Sequence, residues 1–250
     1  MTEPGKPKHA ATVILLRPGE TRGFEVFLTR RPDGMPFLGS MYCYPGGTVS
    51  KEDCRAAMVS RTVGRTPKEA RRIIGAAFTP TQAIGLWVAA VREVFEEVGV
   101  LLAADSAGAK MSMSPERAGR LIQHHHDVSE KRLSFSALLE REQLYCDLAS
   151  LSHFSSWQTP AQFAMRFDTR FFAVDASAIA HRVENVVHPD AELVELVWLP
   201  IAEARNLDLP TVTGVMLQEL EARVAAGFGH DLPVPYYRMP RKIFLRKLIS

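Results

Sequence analysis

The chain has 250 residues, of which 46% are hydrophobic and 23% charged, with a formal net charge of +2. That length allows one large domain or two small ones with a buried core, and the composition is that of a soluble globular protein. So small a net charge argues against nucleic acid or a membrane surface as partner, and no apolar run reaches the roughly 18 residues of a membrane span.

Ala10 to Leu16 is a short apolar run closed by Pro18-Gly19, and it reads as a buried strand. Phe24 to Thr29 reads as a second strand, in a hairpin with the first around Gly19 to Gly23. Pro36 to Pro45 is irregular and leads into a turn at Pro45-Gly46-Gly47. Residues 50 to 60 and 66 to 77 read as helical, with Thr66-Pro67 as cap and first-turn proline. A stronger helix is expected from Thr81 to Val98, another from Ser114-Pro115, and Val128 to Leu144 continues in that style. Strands follow near Leu151 to Thr159, Phe163 to Val174 and Glu192 to Leu199. Ile201 to Arg205 and Thr211 to Ala225 read as closing helices, and the path of the tail from Gly227 is left open. Strands, helix, helical insert, strands, helix: this order predicts an α/β fold with a mixed sheet and helices on both faces.

Cys43, Cys54 and Cys146 form no CxxC pair and read as free thiols in a reducing cytosol. Met1 to His9 is polar with no signal-peptide core, and Leu248-Ile249-Ser250 is not read as a peroxisomal address, so the expected location is cytoplasmic.

The segment with chemical content is Arg92 to Val100. On a helical wheel with Glu93 at zero, Glu97 falls at about 40° and Glu96 at about −60°, so the three carboxylates share one face. Trp87, Val91, Val94, Phe95 and Val98 form an apolar face turned away from the acids. Ala89 and Ala90 lie beside the acid face one turn earlier, where small side chains would leave room for a ligand. Gly99 stands where a helix commonly stops in a left-handed conformation. Like charges at this spacing repel. A hard divalent cation that takes oxygen ligands and bridges to phosphates relieves the repulsion, with Mg²⁺ first and Mn²⁺ as the alternative. From spacing alone, a solvated acidic face on an amphipathic helix serves equally well.

Arg92 to Val100 resembles the second half of the Nudix box, and Pro45-Gly46-Gly47 with Asp53 resembles its first half. Two features depart from the family: Asp53 stands where Glu is usual, and 38 residues separate Asp53 from Arg92, which amounts to an insert of about 31 residues, placed at 54–84. Loop closure cost grows slowly with length, so an insert is tolerable if its ends stay close. Within the family the chain resembles the peroxisomal acyl-coenzyme A diphosphatase branch, which also has a split box. The resemblance is carried by Tyr42-Cys43-Tyr44-Pro45-Gly46-Gly47, by Trp157 and Thr159-Pro160, and by Arg166-Phe167-Asp168-Thr169 with Phe171-Phe172.

The resemblance implies a Nudix-type α/β/α sandwich formed by residues 1–250 as a single domain, with a helical segment at 114–144. It implies hydrolysis of a pyrophosphate bond in a nucleotide-linked small molecule, with coenzyme A or acyl-coenzyme A first. ADP-ribose, reduced NAD and dinucleoside polyphosphates are the alternatives, and a non-catalytic binding module is the reading of another class. It makes Glu93, Glu96 and Glu97 metal ligands and catalytic groups, and has Arg92 hold Glu93 or its neighbour and pair with Asp53. Gly46 and Gly47 at the turn are candidate substrate-binding positions, with Gly47 letting backbone approach closely. Glu195 is the expected further metal ligand, with Glu192 in reserve, although an outward position on a half-buried strand explains Glu195 as well. Arg30, Arg31 and Arg166 are candidate phosphate binders. Leu121, Ile122, Leu133, Phe135, Leu138 and Leu139 could wall an apolar groove, or pack in the core. His124-His125-His126 are adjacent on a helix and point apart, which favours a solvated or partly packed surface over a metal site. A homodimer is left open.

Overall fold

The structure is a computed structural model that describes residues 5–19, 23–34, 39–183, 195–226, 232–238 and 245–249. In chain order the first strands are β1 (Lys8–Pro18), β2 (Phe24–Arg30), β3 (Tyr42–Cys43) and β4 (Gly46–Thr48). A 3-10 turn (Glu52–Cys54), α1 (Ala56–Val59), β5 (Thr62–Val63) and α2 (Pro67–Ile74) lead to α3 (Pro80–Val98), the helix with the acids. Next come β6 (Val100–Leu101), β7 (Ala103–Ala104), α4 (Pro115–Ser129), α5 (Phe135–Arg141) and β8 (Tyr145–Asp147). Then follow β9 (Ser152–Gln158), β10 (Phe167–Asp175), β11 (His181–Arg182) and β12 (Glu195–Pro200). Last are α6 (Ile201–Ala204), α7 (Thr211–Ala225), β13 (Val234–Arg238) and β14 (Leu245–Ile249).

Local chemistry sets the helix starts. α2 and α3 each begin at a capping box, Thr66 with Glu69 and Thr79 with Gln82, followed by a first-turn proline. Ser114 and Ser134 cap α4 and α5 in the same sense. Gly99 ends α3 in the left-handed conformation, as its position in the sequence implies. Three expectations need correction, and the open path of the tail is settled. Residues 50–60 form only a 3-10 turn and one turn of helix, because the backbone of Arg55 between them is extended. The stretch 128–144 is broken between α4 and α5, where Lys131 takes a positive φ. Gly46 and Gly47 are not a free turn, since they hydrogen-bond to β1 as strand β4. The tail adds two strands to the sheet, β13 and β14.

Among the described residues the main sheet runs β12-β2-β1-β10-β9-β13-β14, with β3 on β2 and β4 on β1. β1 lies parallel to β10 from Lys8↔Phe167 to Leu16↔Asp175. On its other edge β1 changes partner. Leu16 to Pro18 pair with β2, whereas Ala10 to Thr12 pair with β4. This fork in the sheet brings Gly46 and Gly47 to one place on the edge of β1.

The side chains of Ala11, Val13, Leu15, Phe27 and Phe172 join α3 in one core, with Trp87, Val91, Val94, Phe95 and Val98 all buried in it. Ile14, Val26, Leu28, Phe154 and Phe171 alternate to the opposite face and pack on α6 and α7 through Ile201, Met216, Leu217 and Leu220. Helices therefore cover both faces of a mixed sheet, as the element order implies. Ala89 and Ala90 are fully buried in the first core and leave no room for a ligand, because that side of α3 faces the sheet. Leu121, Leu133, Phe135, Leu138 and Leu139 belong to the same core, so core packing explains them; Ile122 is exposed. No helix among the described residues is long and apolar enough to cross a membrane.

Gly85 fixes how close the insert lies to α3. A Cβ there would overlap the Cys54 sulfur, just beyond Asp53. Gly85→Ala must displace the Cys54 sulfur, so an overpacking cost of about 1–3 kcal/mol should outweigh the roughly 1 kcal/mol that alanine gains over glycine within a helix. A second change, Cys54→Ala, should recover most of that cost, because the two sites are in contact. Urea denaturation of the two singles and the double checks this; equal losses with and without the sulfur would show that the contact does not set the spacing.

Candidate active site

The wheel places Glu93, Glu96 and Glu97 on one face of α3, and the fold sets that face against the fork. Gly46 donates its backbone N–H to Glu97 Oε2 at 2.9 Å. A Cβ on Gly47 would overlap the Glu93 carboxyl, so the acids sit directly on the strand backbone. Arg92 lies along the flank of the acid face, next to Glu96, and gathers the rest. Its Nε and one terminal nitrogen grip both oxygens of Asp53 at 2.8 and 2.9 Å. The same terminal nitrogen donates to the Thr48 carbonyl at 3.0 Å. The other donates to Glu93 at 2.8 Å and Glu96 at 3.1 Å.

Asp53 is only 1% exposed. Its second oxygen also accepts the Ser50 N–H at 2.7 Å, while Ser50 Oγ accepts the Asp53 N–H at 3.2 Å. This reciprocal exchange across three residues is like that of a capping box and helps hold the carboxylate that Arg92 grips. Burial pushes the Glu93 and Glu96 carboxyls above the usual carboxylate range, and the Arg92 charge pulls both back. Burial works against the charge of Arg92 itself, but the Asp53 hydrogen bonds and charge outweigh it, so the guanidinium is held more firmly protonated.

The model of the NUDT19 Nudix domain matches residues 7–207. The chain belongs to the Nudix hydrolase family. It is 24% identical over 212 residues to the acyl-coenzyme A diphosphatase NUDT19 of Gallus gallus, a match that covers 72% of this chain and 55% of that protein. The chain thus spans about half the length of the curated relative it matches. Among solved structures, it is similar to a Nudix hydrolase from Alicyclobacillus acidocaldarius, with 26% identity and a TM-score of 0.71 over 91% of this chain and 96% of that one.

Within this Nudix domain, the two halves of the box meet despite the insert, through the Asp53–Arg92 pair. The other site residues expected from sequence fall into two groups. Arg31 follows directly on β2, and the Cys43 thiol, which lies against Thr29, feels both the Arg31 and the Glu97 charges. Arg30 alternates to the opposite face, where it bonds Asp33 at 2.7 Å and the Ser40 carbonyl at 3.3 Å. Glu195 pairs in register with Arg30, shares the face of Val197 and Leu199, and accepts the Tyr42 hydroxyl at 2.7 Å. Leu196 and Trp198 take the α3 side instead, so the structure does not bring Glu195 to the acid cluster. Glu192 lies outside the described residues, as does the start of the basic tail at 241–244. Arg166 bonds the Thr159 and Gly5 carbonyls at 3.1 and 2.8 Å, so the Arg166 to Thr169 motif builds the β9–β10 turn and not the acid pocket.

The three histidines do part company: His124 meets Glu142, His125 is buried, and His126 is exposed. Among the described residues no group of three or more His, Cys, Asp and Glu converges as a ready-made cage. Thr48, Ser50 and His125 were not singled out as site residues. Ser50 had a readable signal, its spacing of three from Asp53; the roles of Thr48 and His125 depend on tertiary approach.

Asp53→Ala and Arg92→Ala should each cost about 3–5 kcal/mol, because either strands a buried partner. The double variant should lose clearly less than the sum. Chemical denaturation of all four proteins measures the coupling; strict additivity would contradict a paired role.

Proposed function

We propose that this chain is a pyrophosphohydrolase that cleaves a nucleoside diphosphate-linked small molecule at Glu93, Glu96 and Glu97, with a divalent cation, Mg²⁺ or Mn²⁺, held by these carboxylates. The observation that carries the reading is the seating of Glu97 and Glu93 on strand backbone at Gly46 and Gly47, while Arg92, held by Asp53, ties Glu93 and Glu96 together. The donor set suits such an ion: carboxylate oxygens only, half-buried, with burial raising the energy of the charged forms of Glu93 and Glu96. When bound, the cation offsets charge on pyrophosphate oxygens and makes water more acidic. The protein's own part is positional. Arg92 fixes Glu93 and Glu96, the Gly46 N–H fixes Glu97, and one of these carboxylates takes the proton of the attacking water. Water oxygen bonds to one phosphorus, the bridging P–O bond breaks, and two phosphate monoesters result.

Glu96→Gln and Glu97→Gln keep size and remove a charged oxygen ligand. Turnover of a pyrophosphate substrate in Mg²⁺ should fall by on the order of a hundredfold or more with the fold intact. A double variant as fast as the parent would end this assignment.

For substrate, the reading favours coenzyme A or a short acyl derivative, cleaved to an adenosine bisphosphate and a phosphopantetheine product. The support is similarity to a protein named as an acyl-coenzyme A diphosphatase and to the NUDT19 Nudix domain. Arg31, whose charge reaches the Cys43 thiol together with that of Glu97, is the arginine we assign to the pyrophosphate, since a guanidinium fork meets phosphate oxygens two at a time. Over the whole of residues 1–250 we take the protein to act as a single domain, because β13 extends the same sheet from β9.

The comparison to make is kcat/KM for coenzyme A against dephospho-coenzyme A, ADP-ribose and reduced NAD in the same Mg²⁺ buffer. Coenzyme A should lead, and Arg31→Ala should lower its kcat/KM by on the order of a hundredfold, far more than Arg30→Ala. Preference for ADP-ribose or reduced NAD would discard coenzyme A and leave the hydrolase reading intact.

A further inference from the structure

α4 touches the acid-bearing helix at a particular point. The last four carbonyls of a helix have no partner within it. In α3 the Phe95 carbonyl is taken by Gly99 N–H. The Glu96 carbonyl is met from outside, by His125 Nε2 at 3.1 Å and by Ser129 Oγ at 3.4 Å. His125 and Ser129 are four apart on α4, so they present one face to one oxygen. His125 is buried, and its ring stands edge-on to Phe95 at 5.3 Å, with Phe135 of α5 at 5.7 Å on the same phenyl ring. Packing thus holds the imidazole where its N–H can donate.

The position matters for two physical reasons. Glu96 and Glu97 stand in the final turn of α3, where helices fray most readily. Three carboxylates also crowd toward the negative end of the helix dipole; Arg92 pairs with Glu93 and Glu96, but the last turn itself carries no basic residue. A donor on the Glu96 carbonyl opposes both effects without placing a positive side chain among the acids.

We propose that His125, aided by Ser129, is a positioning residue for the acid cluster, holding the last turn of α3 through the Glu96 carbonyl so that Glu96 and Glu97 present their carboxylates to a divalent cation in one fixed geometry. This rests on the hydrolase reading above. It gives the segment at 114–144 a task beyond covering the core.

The test uses the full chain as parent, His125→Leu, which fills space without donating, His125→Gln, which restores a side-chain N–H, and Ser129→Ala. Binding of Mn²⁺ alone is followed by electron paramagnetic resonance. His125→Leu should bind about tenfold more weakly, as expected for loss of an outer contact to a ligand-bearing element. Its kcat for a pyrophosphate substrate should drop with KM little changed, and His125→Gln should recover most of both. Hydrogen exchange should quicken at the amides of Glu97 to Val100 and not at the start of α3. Should His125→Leu not fold, the same shifts in smaller measure are expected of Ser129→Ala. Unchanged Mn²⁺ affinity and unchanged local exchange in His125→Leu would overturn the proposal, as would a glutamine variant no better than leucine. A parent that binds no Mn²⁺ and turns nothing over would defeat the hydrolase reading, while the exchange measurement would still decide whether His125 holds the turn.

Discussion

Arg92 has five N–H donors, and all five are engaged: two on Asp53, one on the Thr48 carbonyl, one on Glu93 and one on Glu96. Those acceptors come from a strand, the 3-10 turn that follows it and a helix that the chain reaches only after the insert. A guanidinium can do this because its donors are fixed in one plane; a lysine at the same place would meet one or two of them and leave Asp53 buried without its bidentate partner. The geometry of the acids follows. With Glu93 and Glu96 tethered to one nitrogen and Glu97 tethered to the Gly46 N–H, no carboxylate of the three is free to swing away from the strand.

The insert between the box halves is held by the same pair. Asp53 sits at its beginning, Gly85 near its end, and the Cys54 sulfur fills the space that a side chain at Gly85 would need. The whole excursion through α1, β5 and α2 therefore leaves from and returns to one contact region on α3. Its length matters little to that region, since what is fixed is the two ends.

How much of this could be read from the chain depends on the range of the interaction. α3 was legible because its signals are local: a 3.6-residue repeat of apolar side chains, a threonine cap and a closing glycine. The shared face of Glu93, Glu96 and Glu97 came with the period. The Asp53–Arg92 pair was legible only through resemblance, since nothing in the spacing of 38 residues points to contact. Strand faces were harder. Glu195 and Arg30 differ from Leu196 and Arg31 by one residue, and in a two-residue period one residue decides which side of the sheet a side chain takes. Without the register to β2, neither face could be assigned. β13 and β14 were missed because Pro235 and a basic stretch mask short strands, and the His125 contact was missed because it joins two helices that only the packed core brings together.

The parallel pairing of β1 with β10 has a consequence for how the protein is made. Lys8 must wait for Phe167 and Leu16 for Asp175, so a strand with a long apolar run leaves the ribosome well before its parallel neighbour exists. β2 and β4 can engage β1 early along one edge, but the other edge remains an open template for pairing through most of synthesis. Contacts this distant in sequence slow folding. A nascent chain stopped before residue 167 would present the Ala10 to Leu16 strand with one side unpaired, which is the condition under which strands find partners in other molecules.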